Sequence, residues 1–351
     1  MNKNTADPTI KFFVSVLGII ALLFMLKELQ SIFLPFVIAY FLFFLFTPLN
    51  NYLSKKRFPI GATVLVNISI LITSITLFGQ FIFASFSQFS EQIPYYTVKL
   101  NNIVINFAID TGIKNPAIRN FDIGKYLAKL DYSVFASGVF SSTIDFVSGI
   151  FLILFFFIFI NSGHDKIINA LKNRFEPDSD SGNDNNNGLI YDTVKSITDQ
   201  VQKYISTKAL ISLTTAAVVS IVLLLFGVDF ILVWAAFTFF LNFIPNIGSI
   251  GAVILPTVMC LIQYESIGYA AFLMLILIIF QNLIGNILEP KIFGNKLGLN
   301  PIVILLSLLL WGYIWGIGGM ILSVPITAVF KIIFERSTSK NLHFISGIMS
   351  N

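Results

Sequence analysis

The sequence predicts an all-α fold, a polytopic membrane helix bundle of about six to eight spans with two broken helical segments. Hydrophobic residues make up 56% of the 351 positions and charged residues only 11%, whereas a soluble domain has about 25% charged residues. The charges occur in bursts that separate long uncharged runs. Two of these runs are too long for one crossing and contain proline or glycine near their middle.

The uncharged runs are the candidate spans, because a helix needs about 20 apolar residues to cross the hydrocarbon core. They cover residues 12–26, 29–54, 58–90, 146–160, 209–228, 230–264, 266–288 and 297–330. The first and the fourth are short, so flanking polar side chains must reach toward the headgroups. The others are long enough unaided.

Basic residues predict which ends of the spans face the cytoplasm. Lys55, Lys56 and Arg57 follow the second run, and more Lys and Arg residues occupy the loop after the fourth. Positive charge favours the cytoplasmic side, so the amino terminus is predicted to be cytoplasmic too. The predicted regions are N-terminal membrane spans (1–89), an external amphipathic helical region (90–143), a membrane span (144–161), a cytoplasmic loop (162–207), a C-terminal membrane core (208–335) and a cytoplasmic tail (336–351).

Two of these regions have their own patterns. From Phe89 to Phe107, apolar residues recur at spacings of four and three, which predicts a helix with one apolar face. In the cytoplasmic loop, the polar tract from Asp178 to Asn187 has nothing to bury and is predicted to be disordered. Helical spacing returns from Ile190 to Ile205, which predicts an amphipathic helix along the cytoplasmic face.

The runs 230–264 and 297–330 must each break, because straight helices of that length would reach about 50 Å. The breakers are Pro245, Gly248 and Gly251 in the first, and Gly312, Gly316, Gly318 and Gly319 in the second. A break inside a membrane must line a cavity or be covered by protein. Transporters build substrate sites from such breaks. Alternatively, the glycines only allow close helix packing. Re-entrant hairpins and simple crossings both remain open at this point.

Polar residues near the end of the seventh run form a candidate transport pathway. Asn282, Asn286 and Glu289 are spaced to share a helix face. Polar groups are costly in lipid, so this face should point into the bundle or a wet cavity. The alternative is that the amides join neighbouring helices and Glu289 marks the membrane boundary. The candidates here are Gln281, Asn282, Gly285, Asn286, Glu289 and Pro290, and at the first break Asn242, Pro245, Asn246, Gly248 and Gly251.

Three motifs resemble successive signatures of the autoinducer-2 exporter family, also described as the PerM-like permease family. They are NFIPNIGSIG at 242–251, NILEPKIFGNKLGLNP at 286–301 and GIGGMILSVP at 316–325. The resemblance covers nearly the whole chain except the two large loops. It implies a multi-pass protein of the bacterial cytoplasmic membrane, a secondary transporter that exports a small polar signal molecule or solute. The alternative that the resemblance implies is exchange of sodium for protons, the activity of other members of the family. The chain departs from the family at Ile284, Ser249 and Asn300, where an acid, a proline and a histidine are usual.

Other function classes find little support. His164 and His343 lack paired acids or thiols, and no phosphate-binding glycine loop occurs, so an enzyme or an ATP-driven pump is not predicted. We expect no metal site, cofactor or nucleic-acid partner. The predicted partners are the lipid bilayer, a small polar solute with sodium or protons, and further copies of the chain. A non-transporting scaffold that oligomerises through its glycine-rich surfaces is the rival hypothesis.

Overall fold

The computed structural model describes residues 8–112, 122, 124, 132–175, 187–293, 298–337 and 339–350. The predicted disordered tract lies outside these residues, except for Asn187. The elements are α1 (Pro8–Glu28), α2 (Gln30–Lys55), α3 (Ile60–Asp110), α4 (Tyr132–Phe175), α5 (Asn187–Leu225), α6 (Ile231–Leu241), α7 (Ile247–Tyr264), α8 (Ile267–Asn282), a π-helix (Leu283–Leu288), α9 (Glu289–Phe293), α10 (Pro301–Glu335) and α11 (Lys340–Met349).

Local sequence explains where several helices begin and end. Gly227 and Glu265 have positive φ angles of 64° and 52°, and this left-handed conformation ends α5 and α7. Asn300 caps α10, because its Oδ1 accepts a hydrogen bond from the Ile302 N–H at 2.9 Å. Pro301 then occupies the first position of the helix, where its missing N–H costs nothing.

The prediction of an all-α membrane bundle is confirmed. Within the described residues, seven helices are long and apolar enough to cross a membrane: Gln30–Lys55, Ile60–Asp110, Val147–His164, Tyr191–Leu225, Ile247–Tyr264, Ile267–Ile292 and Pro301–Glu335. Large apolar side chains are widely exposed, for example Phe83 at 76% and Leu225 at 78%. Such a surface suits lipid rather than water.

Helix α3 has 51 residues and is therefore about 77 Å long, more than twice the hydrocarbon thickness. It runs without interruption through residue 90, where the external region is predicted to begin. On the predicted apolar face, Tyr96 is buried while Phe89 and Phe107 are exposed. The helix therefore extends well beyond one crossing and brings this face to a packing partner.

The chain divides into two compact units. The first-hairpin unit comprises Leu45–Phe146 and Thr198–Gly298, and it contains the break near Pro245. The second-hairpin unit comprises Met1–Phe44, Val147–Ile197 and Leu299–Asn351, and it contains the break near Gly316.

The segment Ile231–Tyr264 folds back on itself and is called the first hairpin. The Asp229 N–H donates to Gln263 Oε1 at 2.9 Å, and Gln263 Nε2 donates to the Gly227 carbonyl at 2.9 Å. In one straight helix, residues 34 positions apart would lie about 50 Å apart. The segment therefore starts and ends at the same place. At its tip, a Cβ on Gly248 would lie only 1.8 Å from the Leu241 carbonyl oxygen, so only glycine permits this closeness.

Helix α10 is a second antiparallel hairpin. Trp315 and Gly316 leave helical geometry, and Gly316 has φ 62° and ψ −143°. Ser307 Oγ consequently reaches the Ser323 carbonyl at 3.0 Å and also contacts Thr327 Oγ1. A Cβ on Gly319 would lie 2.0 Å from the Trp311 carbonyl oxygen. Both breaks thus form hairpins, and in each a glycine is needed for close packing.

The tip of the second hairpin is fastened to the junction of α1 and α2. Trp315 Nε1 donates to the Leu26 carbonyl at 3.0 Å, and Lys27 Nζ lies 3.7 Å from the centre of the Tyr313 ring. Trp311, Ile314 and Trp315 form a small buried cluster there. The helix hydrogen bonds are interrupted at this break. Aromatic packing and one hydrogen bond to Leu26 therefore stabilise its conformation.

Candidate functional site

Helix α5 carries a buried polar strip along the first-hairpin unit. Tyr204, Lys208, Ser212 and Thr215 follow one another at spacings of four, four and three, and all are less than a tenth exposed. This spacing places them on one face. Ile205, Ile211 and Val219 are buried on the same side of the helix, so the polar groups lie within a packed apolar surface.

The tip of the first hairpin is bound to this strip. Asn242 Nδ2 donates to Ser212 Oγ at 3.0 Å, and Ser212 is completely buried. Beyond Asn242 the chain turns through Pro245 and Asn246, and Asn246 has a positive φ of 61° and is exposed. Gly251 continues the close packing, since its Cβ would lie 2.9 Å from Leu241 Cδ1.

The predicted polar face of the seventh run divides into two sides. Gln281 is buried in line with Leu273 and Leu277, and its Nε2 has no hydrogen-bond partner among the described residues. Asn282 and Asn286 lie on the exposed side, where Asn286 Nδ2 donates to Asn282 Oδ1 at 2.8 Å. Asn282 Nδ2 also donates to the Ile278 carbonyl. Only Gln281 of these three points into the unit.

A π-helix over Leu283–Leu288 separates these amides from Glu289. Pro290 follows this segment and has no N–H to donate to the preceding turn. Such π segments occur frequently at functional sites. Gly285 lies in this turn, and outside its own stretch of helix no described residue comes within 4 Å of the position its Cβ would take. The region around Gly285 therefore has room for a further group.

Glu289 forms an ion pair with Lys208. Glu289 Oε1 lies 2.6 Å from Lys208 Nζ, and the exposed fractions of the two side chains are 25% and 8%. A charged lysine in an apolar environment is costly unless it is paired. The carboxylate thus neutralises the buried ammonium, and the pair can be approached from the Glu289 side.

These contacts bring the two predicted groups of residues together at one end of the first-hairpin unit. Lys208 and Ser212 are one helical turn apart, so Glu289 and Asn242 meet neighbouring turns of α5. Helices α7 and α8 pack together around a two-residue link, so residues equally far from it lie at similar heights. Gln281 and Ser249 are each 16 positions from Glu265, which puts Gln281 level with the tip. We call Lys208, Ser212, Asn242, Gln281 and Glu289 the polar site.

Lys208 and Ser212 were not among the residues predicted for this site. Residue 208 was predicted only as the first residue of the C-terminal membrane core (208–335). The available signal was the recurrence of Tyr204, Lys208, Ser212 and Thr215 at helical spacing beside apolar residues. The pairing with Glu289 had no local signal, since 81 positions separate the two residues.

A second polar cluster joins α3 to the open end of the first hairpin. Tyr96, which is buried, donates from its hydroxyl to Asp229 Oδ2 at 2.8 Å. One turn further, Lys99 Nζ contacts the Gln263 carbonyl and lies 3.4 Å from Glu265 Oε1. Helix α3 therefore holds both the start and the end of the hairpin.

Within the described parts of the chain, no group of three His, Cys, Asp or Glu residues could hold a metal ion. The polar site offers instead one ammonium, one carboxylate, two side-chain amides and a hydroxyl. Such groups bind uncharged polar molecules through hydrogen bonds.

Comparison with known proteins identifies transport proteins as relatives of this chain. The family described as AI-2E family transporter matches residues 12–339. A Borreliella burgdorferi protein named "Putative transport protein" is 31% identical over 315 residues, which cover 88% of this chain and 83% of that protein. A Haemophilus influenzae protein with the same name is 30% identical over 338 residues, 92% of each chain. The AI-2 transport protein TqsA of Escherichia coli K12 is 27% identical over 317 residues, 88% of this chain and 86% of that protein.

The family match extends over nearly the whole chain and includes both hairpins and the polar site. Apolar helices that repeatedly cross a membrane are the architecture that a transport protein requires. The chain is thus a multi-pass bacterial membrane protein, and it belongs to the AI-2E family of transporters.

Proposed function

We propose that the chain is a secondary transporter that exports a small polar signal molecule or solute across the cytoplasmic membrane, and that the solute passes the polar site. One observation supports this most strongly: Lys208–Glu289 and Ser212–Asn242 meet on neighbouring turns of one membrane helix, at the tip of a broken hairpin. Ionisable residues inside membrane segments usually mark solute or ion pathways.

The buried amide of Gln281 supports the same proposal. Its Nε2 lacks a hydrogen-bond partner among the described residues, and an unsatisfied buried donor costs about 1–3 kcal/mol. A purely structural role would favour an apolar residue at this position. A solute hydroxyl or carbonyl oxygen would supply the missing acceptor.

The internal charge balance favours an uncharged solute. The charges of Lys208 and Glu289 neutralise each other at a distance of 2.6 Å, so the site has no net charge toward a bound solute. The E. coli relative TqsA is named an AI-2 transport protein, and autoinducer-2, a quorum-sensing signal, is therefore the first solute to test. For sodium–proton exchange, a cation would have to displace the Lys208 ammonium from Glu289.

The orientation also belongs to this proposal. We place the amino terminus, Lys56, Lys208, Lys291 and residues 336–351 on the cytoplasmic side, because basic residues favour that side. The Lys208–Glu289 contact supports a common side for the start of α5 and the end of α8. The Lys99–Glu265 contact supports a common external side for the C-terminal part of α3 and the open end of the first hairpin.

We further propose that the chain forms a homo-oligomer. Asn282 and Asn286 are exposed on a spanning helix, and amides facing lipid are unfavourable. A neighbouring copy would cover them. Disulfide crosslinking of Asn286→Cys in a Cys260→Ser background would detect this contact, and a strictly monomeric protein would refute it.

The test of function is flux through the purified protein in liposomes with imposed proton or sodium gradients. Uptake of autoinducer-2, or of another small polar solute, that depends on the gradient supports the proposal. Sodium-driven proton movement without solute would identify an antiporter instead. Absence of flux for every tested solute and cation would contradict this proposal and favour the non-transporting scaffold.

A further inference from the structure

Helix α11 (Lys340–Met349) has an apolar side that no described residue covers. Phe344, Ile345 and Ile348 are 69%, 41% and 56% exposed, and their spacing puts them on one side of the helix. Ser346 and Met349 are buried on another side, which packs against α10. The orientation of the helix is therefore fixed by its contact with the second hairpin. Phe344 and Ile348 project away from the hairpin, and Ile345 lies at the edge of the contact.

The chain length between α10 and α11 confines this helix to the membrane surface. Only residues 336–339 separate the last residue of the second hairpin from Lys340, and four residues span at most about 14 Å. The far end is tied back as well, because the Asn300 N–H donates to the Met349 carbonyl at 2.9 Å and Leu299 pairs with Ser350. The first residue of α11 thus lies near the end of α10, and the last residue of α11 lies beside the start of α10.

The surroundings of the apolar side favour lipid as its occupant. Phe330 and Ile333, in the last two turns of α10, are 39% and 41% exposed, so the lipid-facing surface of the hairpin continues toward α11. Helix α11 contains Lys340 and no acidic residue, and Arg336 precedes it. Apolar side chains that follow a basic residue such as Lys340 on the same helix are typical of helices that lie in the headgroup region.

We propose that α11 is a membrane-surface helix, which inserts Phe344, Ile345 and Ile348 between the phospholipid headgroups and thereby ties the start of the second hairpin to the bilayer surface. The backbone pairing of Asn300 with Met349 provides this tie, because Asn300 is the residue that caps α10. The inference concerns the position of α11 and does not depend on which solute is transported.

Lipid contact can be measured with a fluorescent label at single cysteines in a Cys260→Ser background. Phe344→Cys is labelled with an environment-sensitive fluorophore in nanodiscs of phosphatidylcholine and phosphatidylglycerol (3:1), with and without lipids carrying a shallow spin-label quencher. The matched control is His343→Cys, which is adjacent but points away from Ile345 and Ile348. We expect at least about twofold stronger quenching at position 344 than at 343.

Equal quenching at both positions would refute the proposal. A label at position 344 that is shielded from water but not quenched by the spin-labelled lipids would also refute it, because a second copy of the chain would then cover this side. Ile348→Cys repeats the measurement one turn away and replaces Phe344→Cys if that variant does not fold. Failure here would leave the flux experiment on the polar site unaffected.

Discussion

At the scale of single residues, the pair Lys208–Glu289 is the feature with the largest expected effect. The lysine side chain is only 8% exposed, so water does little to stabilise its charge and the Glu289 carboxylate must do so. Removing one member of a buried pair costs about 3–5 kcal/mol, because the other charge is left unpaired. The 25% exposure of Glu289 should lower that cost, since water reaches it.

We predict that Glu289→Gln reduces gradient-driven transport at least about tenfold, equivalent to about 1.4 kcal/mol in activation free energy. Glutamine keeps the volume and hydrogen bonding but removes the charge, and Ile284 provides no second carboxylate nearby. Liposome flux per inserted protein measures the effect. Full activity with an unchanged pH profile would remove Glu289 from the mechanism.

The double variant Lys208→Met with Glu289→Gln distinguishes a role of the ion pair in transport from a purely structural role. It removes both charges, so no unpaired ammonium remains and thermal stability should recover toward that of the natural protein. If the pair only anchors two helices, transport should recover as well. If it takes part in transport, stability recovers and flux does not.

A second residue-scale prediction concerns Tyr96. Its hydroxyl binds the Asp229 carboxylate, and hydrogen bonds to charged groups contribute about 1.5–3 kcal/mol. Tyr96→Phe should therefore lower the thermal stability of the purified protein. Tyr52→Phe is the matched control, since Tyr52 is 55% exposed. Equal stability of the two variants would mean that the contact to the hairpin is unimportant.

At the scale of elements, each hairpin depends on a glycine that touches the backbone of its own other arm. A Cβ added at Gly248 would lie 1.8 Å from a carbonyl oxygen of the other arm, and one added at Gly319 would lie 2.0 Å from such an oxygen. A rigid backbone oxygen cannot move aside as a side chain can. The sequence left two interpretations of these glycines open: they allow close packing, or they break a helix that lines a cavity. The two are compatible, because close packing of the two arms is what allows the chain to reverse.

We predict that Gly248→Ala forces the arms of the first hairpin apart and lowers flux at least about tenfold. Gly268→Ala is the matched control, since no described residue outside its own stretch of helix comes within 4 Å of its Cβ position. Thermal stability in detergent and flux in liposomes should both separate the two variants. If Gly248→Ala behaves like the control, the tip tolerates a wider separation than its geometry implies.

At the scale of the whole molecule, the hairpins determine on which side each basic cluster lies. If the first hairpin returns to the side where it began, Lys291 lies on the same side as Lys56 and Lys340. If it crossed the membrane, Lys291 would lie on the side opposite to Lys56. The hydrogen bonds between residues 227–229 and Gln263 favour the return.

We predict that Lys56→Cys, Asn185→Cys, Lys291→Cys and Lys340→Cys, each in a Cys260→Ser background, resist an impermeant thiol reagent added to intact cells. Glu91→Cys, which is exposed on α3, should react. Permeabilised cells serve as the positive control for reactivity. Labelling of Lys291→Cys from outside would overturn the return of the hairpin, and labelling of Asn185→Cys would overturn the orientation.

The sequence by itself determined the class of the molecule and the two breaks at Pro245 and Gly316. These features depend on local properties: the apolar length of a run, helical spacing, and residues that cannot continue a helix. For the same reason it identified Asn242 and Gln281 as polar residues within apolar runs, and Glu289 as the acid that directly follows one.

Only the tertiary structure decided that the breaks are hairpins, that Gln281 and Asn282 lie on different sides of α8, and that Lys208 is the partner of Glu289. The π-helix rotates the residues beyond it, so a regular helical wheel could not predict their shared face. Contacts between residues 81 positions apart depend on how whole helices pack, and no spacing within either segment specifies that packing.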